Sequence, residues 1–143
     1  MADYLIEINN ERDKMFEKLA YRLESDKPFD TVVQNLEQET VNNKFRVLHI
    51  HNVQETLAEK GLEREPLKII EVCNAHFAHN ALQQEIGVAL FMPCRFVVHT
   101  AGDKTVVTLS RPSMIAEMMP QAGLNELASE VEETLKKVAK ASI

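Results

Sequence analysis

Two cysteines, Cys73 and Cys94, and three of the five histidines fall within residues 68–99, KIIEVCNAHFAHNALQQEIGVALFMPCRFVVH. Thiols and imidazoles are the groups that hold soft metals, attack electrophiles or exchange electrons. Cys73 stands where a strand pattern hands over to a helix pattern, and Cys94 directly follows Pro93. A thiol just before a helix start meets unpaired amide N–H groups and the positive end of the dipole. That position lowers its pKa and favours the thiolate. The run Cys73-x-x-His76-x-x-His79 has metal-ligand spacing, but zinc motifs proper carry a second matched pair, so the alternative is two histidines on a solvated helix surface. Further back, His49 and His51 alternate along a strand, which sets both rings on one side roughly 7 Å apart at Cα. Metal sites use that spacing, and so do pairs of half-exposed strand histidines with no ligand.

The elements that would position these groups follow from the apolar spacing. Phe29, Val32, Val33 and Leu36 fall at i, i+3, i+4 and i+7, which predicts a helix near residues 28–42. Asp26 is its expected cap, Pro28 suits the first turn and Asp30 the dipole. Residues 45–53 alternate as a strand, with Leu48 and Ile50 on one face and Val47, His49 and His51 on the other. A short helix at 54–60 is expected to stop at Gly61. Residues 67–73 form the next strand, Ile70 and Val72 on one face, Ile69, Glu71 and Cys73 on the other. Asn74 caps a helix over 76–85 whose apolar stripe is Phe77, Ala78, Ala81 and Leu82. Residues 88–92 are apolar on both faces and read as a strand buried from two sides, the second cover being a further subunit. Pro93 interrupts it, and Cys94, Phe96 and Val98 then share a face. A Gly102-containing turn leads into a strand over 105–110.

Around Ser113–Pro120 the methionines Met114, Met118 and Met119 line either an adaptable pocket or a partner surface, or else pack as a loop on the core edge. Asn125 is the expected cap of the last helix, whose stripe is Leu127, Val131, Leu135 and Val138. Its charges, Glu126, Glu130 and Glu132 early and Lys136, Lys137 and Lys140 late, read as a solvated face matched to the dipole. Residues 15–23 are open between a helix and a first strand at 20–24, and Tyr4, Leu5, Ile6 and Ile8 between a strand and a helical arm. The division is an N-terminal extension over 1–22 and one α+β domain over 23–143, an antiparallel or mixed sheet with helices on one face.

Composition bounds the function. At 143 residues, 45% hydrophobic and 27% charged, the chain makes one domain with a real core. Sixteen basic residues against 22 acidic ones give a net charge of −6, which argues against nucleic acid or an anionic membrane as partner. No apolar run approaches the ~18 residues of a membrane helix. The first residues lack a signal-peptide pattern, so a reduced cysteine pair in the cytoplasm is expected.

Cys73-Asn74, Met92-Pro93-Cys94, the Pro28-Phe29-Asp30 helix start and the Phe45-Arg46-Val47-Leu48 strand together resemble the domain-of-unknown-function 302 family, over roughly residues 23–140. The family usually carries Cys-Asn-Pro and Leu-Pro-Cys; here Ala75 replaces the first proline and Met92 the leucine. The resemblance implies a TATA-binding-protein-like α+β fold and a homodimer, and no established activity.

Three functions fit these residues. In the first, Cys73 and Cys94, with His49, His51 or Glu71, bind a small ligand: a soft metal held by Cys73, Cys94 and His49, a haem-like cofactor, or a sulfur compound. The second is a thiol redox protein with Cys73 as nucleophile and Cys94 as resolving thiol. The third is a structural homodimer with two inert buried cysteines. All but the last require the two sulfurs to meet.

Overall fold

The structure is a computed structural model that describes residues 10–143; the apolar residues Tyr4, Leu5, Ile6 and Ile8 lie outside the described residues. The elements in order are α1 (Asn10–Leu19), β1 (Ala20–Ser25), α2 (Phe29–Asn42), β2 (Arg46–Asn52), α3 (Val53–Ala58), β3 (Leu67–Cys73), α4 (Ala75–Gln84), β4 (Cys94–Ala101), β5 (Lys104–Ser110), α5 (Pro112–Met118) and α6 (Asn125–Ser142), with short 3₁₀ turns at Ile86–Phe91 and Pro120–Ala122. Both readings of residues 15–23 hold in succession, a helix and then a strand. The sheet begins at Ala20, so Tyr21 and Arg22 belong to it and not to an extension.

The five strands pair antiparallel throughout, in the order β1-β5-β4-β3-β2. The fold is α+β, with α2 and α6 laid across one face. Val32, Val33 and Leu36 of α2 and Val131, Leu135 and Val138 of α6 pack on Ile70, Val72, Phe96, Val98, Val107 and Leu109. Phe96, Ile70, Leu109, Leu36 and Leu135 are fully buried, and side chains of this size contribute about 1.5–3 kcal/mol each when taken out of water. A smaller cluster, Val88, Ala116, Leu124 and Ala128, joins α5 and α6 to the 3₁₀ turn at Ile86–Phe91.

Several local expectations hold. Asn74 Oδ1 accepts from the amides of His76 and Phe77 and so caps α4. Gly61 ends the α3 turn at φ +73, and Gly102 turns the β4–β5 hairpin at φ +62. Others do not. Residues 88–92 form no strand; residues 88–91 lie in the 3₁₀ turn at Ile86–Phe91 and Met92 ends it. Both edges of β3 are already taken by β2 and β4, and Pro93 has no amide to lend a ladder. Nor is this segment buried from two sides, since Leu90 is 84% exposed. Asp26 does not cap α2: Pro28 holds the N-cap position, and Asp26 pairs instead with Lys104. Asn125 lies inside α6, after Leu124, and makes no cap.

Strand β2 departs from simple alternation. A bulge between Val47 and His49 places Val47 opposite Val72 and Ile50 opposite Ile70. Val47 and Ile50 therefore pack against the core, while Leu48 is 48% exposed. One extra residue in a bulge reverses the faces on one side of it.

Glu132 departs from the solvated face expected of the α6 charges: it is only 5% exposed. Its Oε1 accepts from the Ser113 hydroxyl at 2.6 Å and the Ser113 amide at 3.2 Å. Its Oε2 faces Arg111 Nη2 and Lys136 Nζ, each at 3.3 Å. Arg111 also donates to the Glu17 carbonyl. Burial pushes the Glu132 carboxyl up, but the Ser113 and Arg111 hydrogen bonds outweigh it and hold the group below its ordinary value. The network ties α6 to the start of α5, the two helices that wall the site described next.

Candidate functional site

Between the ends of β3 and β4 and the helices α4, α5 and α6 lies a cavity of about 100 Å³. Phe45, Phe77, Phe91, Met92 and Pro93 form much of its aromatic and soft wall. Ala78 and Ala81 of α4, Ala116 of α5 and Ala128 of α6 line it too. Small side chains at the places where three helices approach one another leave the space. Phe45 and Phe77 stand with ring centroids 5.9 Å apart at 34°.

Both cysteines line this cavity. Cys94 opens β4 opposite Val72, on the helix-covered face with Phe96 and Val98. Cys73 is the neighbour of Val72 and so sits diagonally across from Cys94, with the two Cα atoms roughly 6 Å apart by antiparallel geometry. Alternation alone would turn Cys73 to the other face, with Glu71. It is the last residue of β3, however, where the chain leaves the sheet for Asn74 and α4, and it borders the cavity instead. Both are free thiols.

The thiols are not activated. Burial, then the neighbouring Cys73, push the Cys94 thiol up to about 11 against a smaller downward pull from Arg95. Burial also raises Cys73, which corrects the expected helix-start thiolate. The helix start offers it few free amides, because Asn74 caps α4. Its carbonyl oxygen already occupies the His76 and Phe77 amides, and its amide nitrogen donates to the Lys44 carbonyl. Asn74 is the one polar side chain besides the thiols in the cavity wall; its carbonyl oxygen is fully engaged and one of its two amide N–H groups is bonded.

His49, His51 and Glu71 do not join the cysteines. His49 stands opposite Glu71, and Glu71 opposite Arg95, on the sheet face turned away from α2 and α6. The His49 and His51 rings lie 6.5 Å apart at 24°, and His51 Nε2 meets the Thr56 hydroxyl at 3.1 Å. None of the three lines the cavity. The five-residue site is thus corrected to two thiols on one side and a His-Glu-Arg row on the other. Among the described residues no group of three His, Cys, Asp or Glu side chains is placed to hold a metal ion, so the set Cys73, Cys94 and His49 does not assemble as one. His76 and His79 are exposed on α4. Met114, Met118 and Met119 belong to α5 and its end and leave the cavity to Ile115 and Met92.

Sequence reasoning missed most of the wall. Its one signal was the run 88–92, apolar on both faces, which turns Val88, Phe91 and Met92 to the cavity.

No helix among the described residues is long and apolar enough to cross a membrane. A comparison with curated proteins found no match. Among solved structures, the chain is similar to the uncharacterized conserved protein DUF302 from Bacillus stearothermophilus, at 29% identity and a TM-score of 0.82. That likeness covers 87% of this chain and 98% of the other. The family described as Domain of unknown function DUF302 matches residues 21–142, from the first strand to the end of α6. With the family spanning all five strands and the cavity between them, the chain belongs to the DUF302 family.

Proposed function

We propose that this protein is a small-ligand binding module whose site is the cavity bordered by Cys73 and Cys94. The observation that carries the reading is an apolar cavity of about 100 Å³ with both thiols in its wall. Apolar cavities of this order stay dry and take up small apolar molecules; one of about 150 Å³ accepts benzene. A macrocycle such as haem needs a pocket in the range of drug-sized ligands, roughly 300–1,000 Å³, so that option drops away. Catalysis by a Cys73 nucleophile is disfavoured because both thiols are held protonated. Two free thiols suit a reducing compartment such as the cytoplasm. Benzene added to the full chain tests the reading by methyl NMR. Saturable shifts confined to Val72, Ala81, Val88 and Val131 are expected; uniform or absent shifts overturn it. We propose a homodimer on the family resemblance alone, and sedimentation that gives a monomer at micromolar concentration ends that part.

A further inference from the structure

We propose, as a deepening of the binding function above and resting on it, that Cys73 and Cys94 act together as a dithiol trap for a soft, uncharged, three-coordinate thiophile, of which an aryl compound of trivalent arsenic is the type. The geometry comes first. The two residues are diagonal neighbours on adjacent antiparallel strands, at a Cα separation of roughly 6 Å, which permits a bridge between two cysteines whose side chains turn to one side, and the exit of the chain from β3 at Cys73 is what brings it to the cavity that Cys94 lines. Both border one cavity, and the Cys73 thiol is near enough to disturb the titration of Cys94.

The donor count then decides among soft ligands. Zinc in a closed site takes four donors, and among the described residues not even three His, Cys, Asp or Glu side chains are grouped for a metal. Copper(I) between two thiolates releases two protons and leaves a net negative charge against a wall of Phe, Met, Ala and Val carbon, where charge is expensive. A trivalent organoarsenic dihydroxide avoids both costs. Two As–O and two S–H bonds break, two As–S bonds form, and each hydroxyl leaves as water with a thiol proton. Arsenic keeps its oxidation state, so no oxidant or reductant takes part. The product is neutral, which suits two thiols that burial keeps protonated. The third substituent on arsenic is an apolar ring, and the Phe45–Phe77 wall offers it an apolar surface.

Phenylarsine oxide titrated into the full reduced chain is the test. The expected result is one phenylarsenic unit per chain by intact mass, loss of both thiols to a chromogenic disulfide, resistance to excess glutathione and reversal by 2,3-dimercaptopropanol. Cys73→Ser and Cys94→Ser should each weaken retention at least ~100-fold, the advantage of a second tethered contact. Cys73 is the safer variant because it is half-exposed, and near-UV circular dichroism checks that each variant is folded. Two units per chain, loss of the adduct to glutathione, or unchanged retention in Cys73→Ser overturns the trap. Benzene uptake without a bridged adduct overturns this inference and leaves the binding function standing; absence of both sinks both.

Discussion

The Ser113 hydroxyl donates to Glu132 Oε1 at 2.6 Å, so a carboxylate buried on α6 caps the first turn of α5. Arg111 and Lys136 neutralise its other oxygen. Removing the carboxylate strands two cations and the Ser113 donors. Glu132→Ala is expected to cost about 3 kcal/mol, the scale for breaking a buried, hydrogen-bonded ion pair. Glu130→Ala, exposed one position before Val131, should stay within about 0.5 kcal/mol. Urea unfolding of the two variants checks this, and equal costs would show that the network is incidental.

The same group sets an acid dependence. Its folded pKa lies below the unfolded value, so its stabilisation is fully present above the unfolded pKa of about 4.3. It is lost as pH falls through the folded value. The gap in unfolding free energy between the wild type and Glu132→Gln should therefore narrow as the pH drops from about 7 to about 3. A gap that holds constant across that range is the contrary result.

Cys94 titrates in the opposite sense. Burial and Cys73 raise it to about 11, so its neutral form stabilises the fold below the unfolded pKa of about 8.5. That contribution fades as pH rises through about 11. Alkylation of Cys94 by iodoacetamide in a Cys73→Ser background should climb about tenfold per pH unit through the range near pH 8–10 without a plateau. A plateau below pH 9 would show an activated thiolate and revive the redox reading.

Ala78 lines the cavity from α4. Ala78→Leu fills it with a good helix former. Stability should be unchanged or higher by up to about 1 kcal/mol, as for cavity-filling substitutions generally. Benzene uptake and phenylarsenic retention should both fall. Unaltered binding would place the ligand elsewhere.

The β2 bulge separates two neighbours of similar type. Val47 faces the core opposite Val72, while Leu48 points to solvent. Val47→Asp should cost more than about 2 kcal/mol through the burial of a carboxylate, and Leu48→Asp about 0.5 kcal/mol or less. The reverse ranking, measured by thermal unfolding, would restore simple alternation.

What the sequence determined by itself was the local chemistry. Apolar spacing set α2, α4 and α6. Asn74 marked a helix start, Gly61 and Gly102 marked turns, and the pair of motifs around Cys73 and Cys94 marked the family. Each of these depends on a few neighbouring residues. Tertiary structure decided everything that depends on strand order and on one-residue shifts. A bulge at Leu48 exchanged two faces that periodicity alone assigns the other way. β3 lying beside β4 brought Cys73 near Cys94, while it left His49, His51 and Glu71 on the far side of the sheet. The run 88–92 carried strand-like composition, but its neighbour β3 was already paired on both edges by β2 and β4, and the run closed into a 3₁₀ turn. Glu132 looked like any helix-surface acid until Arg111 and Ser113, distant in the chain, closed around it. Pairing partners, and therefore burial, are properties of chain segments far apart in sequence, and no local pattern encodes which of them will meet.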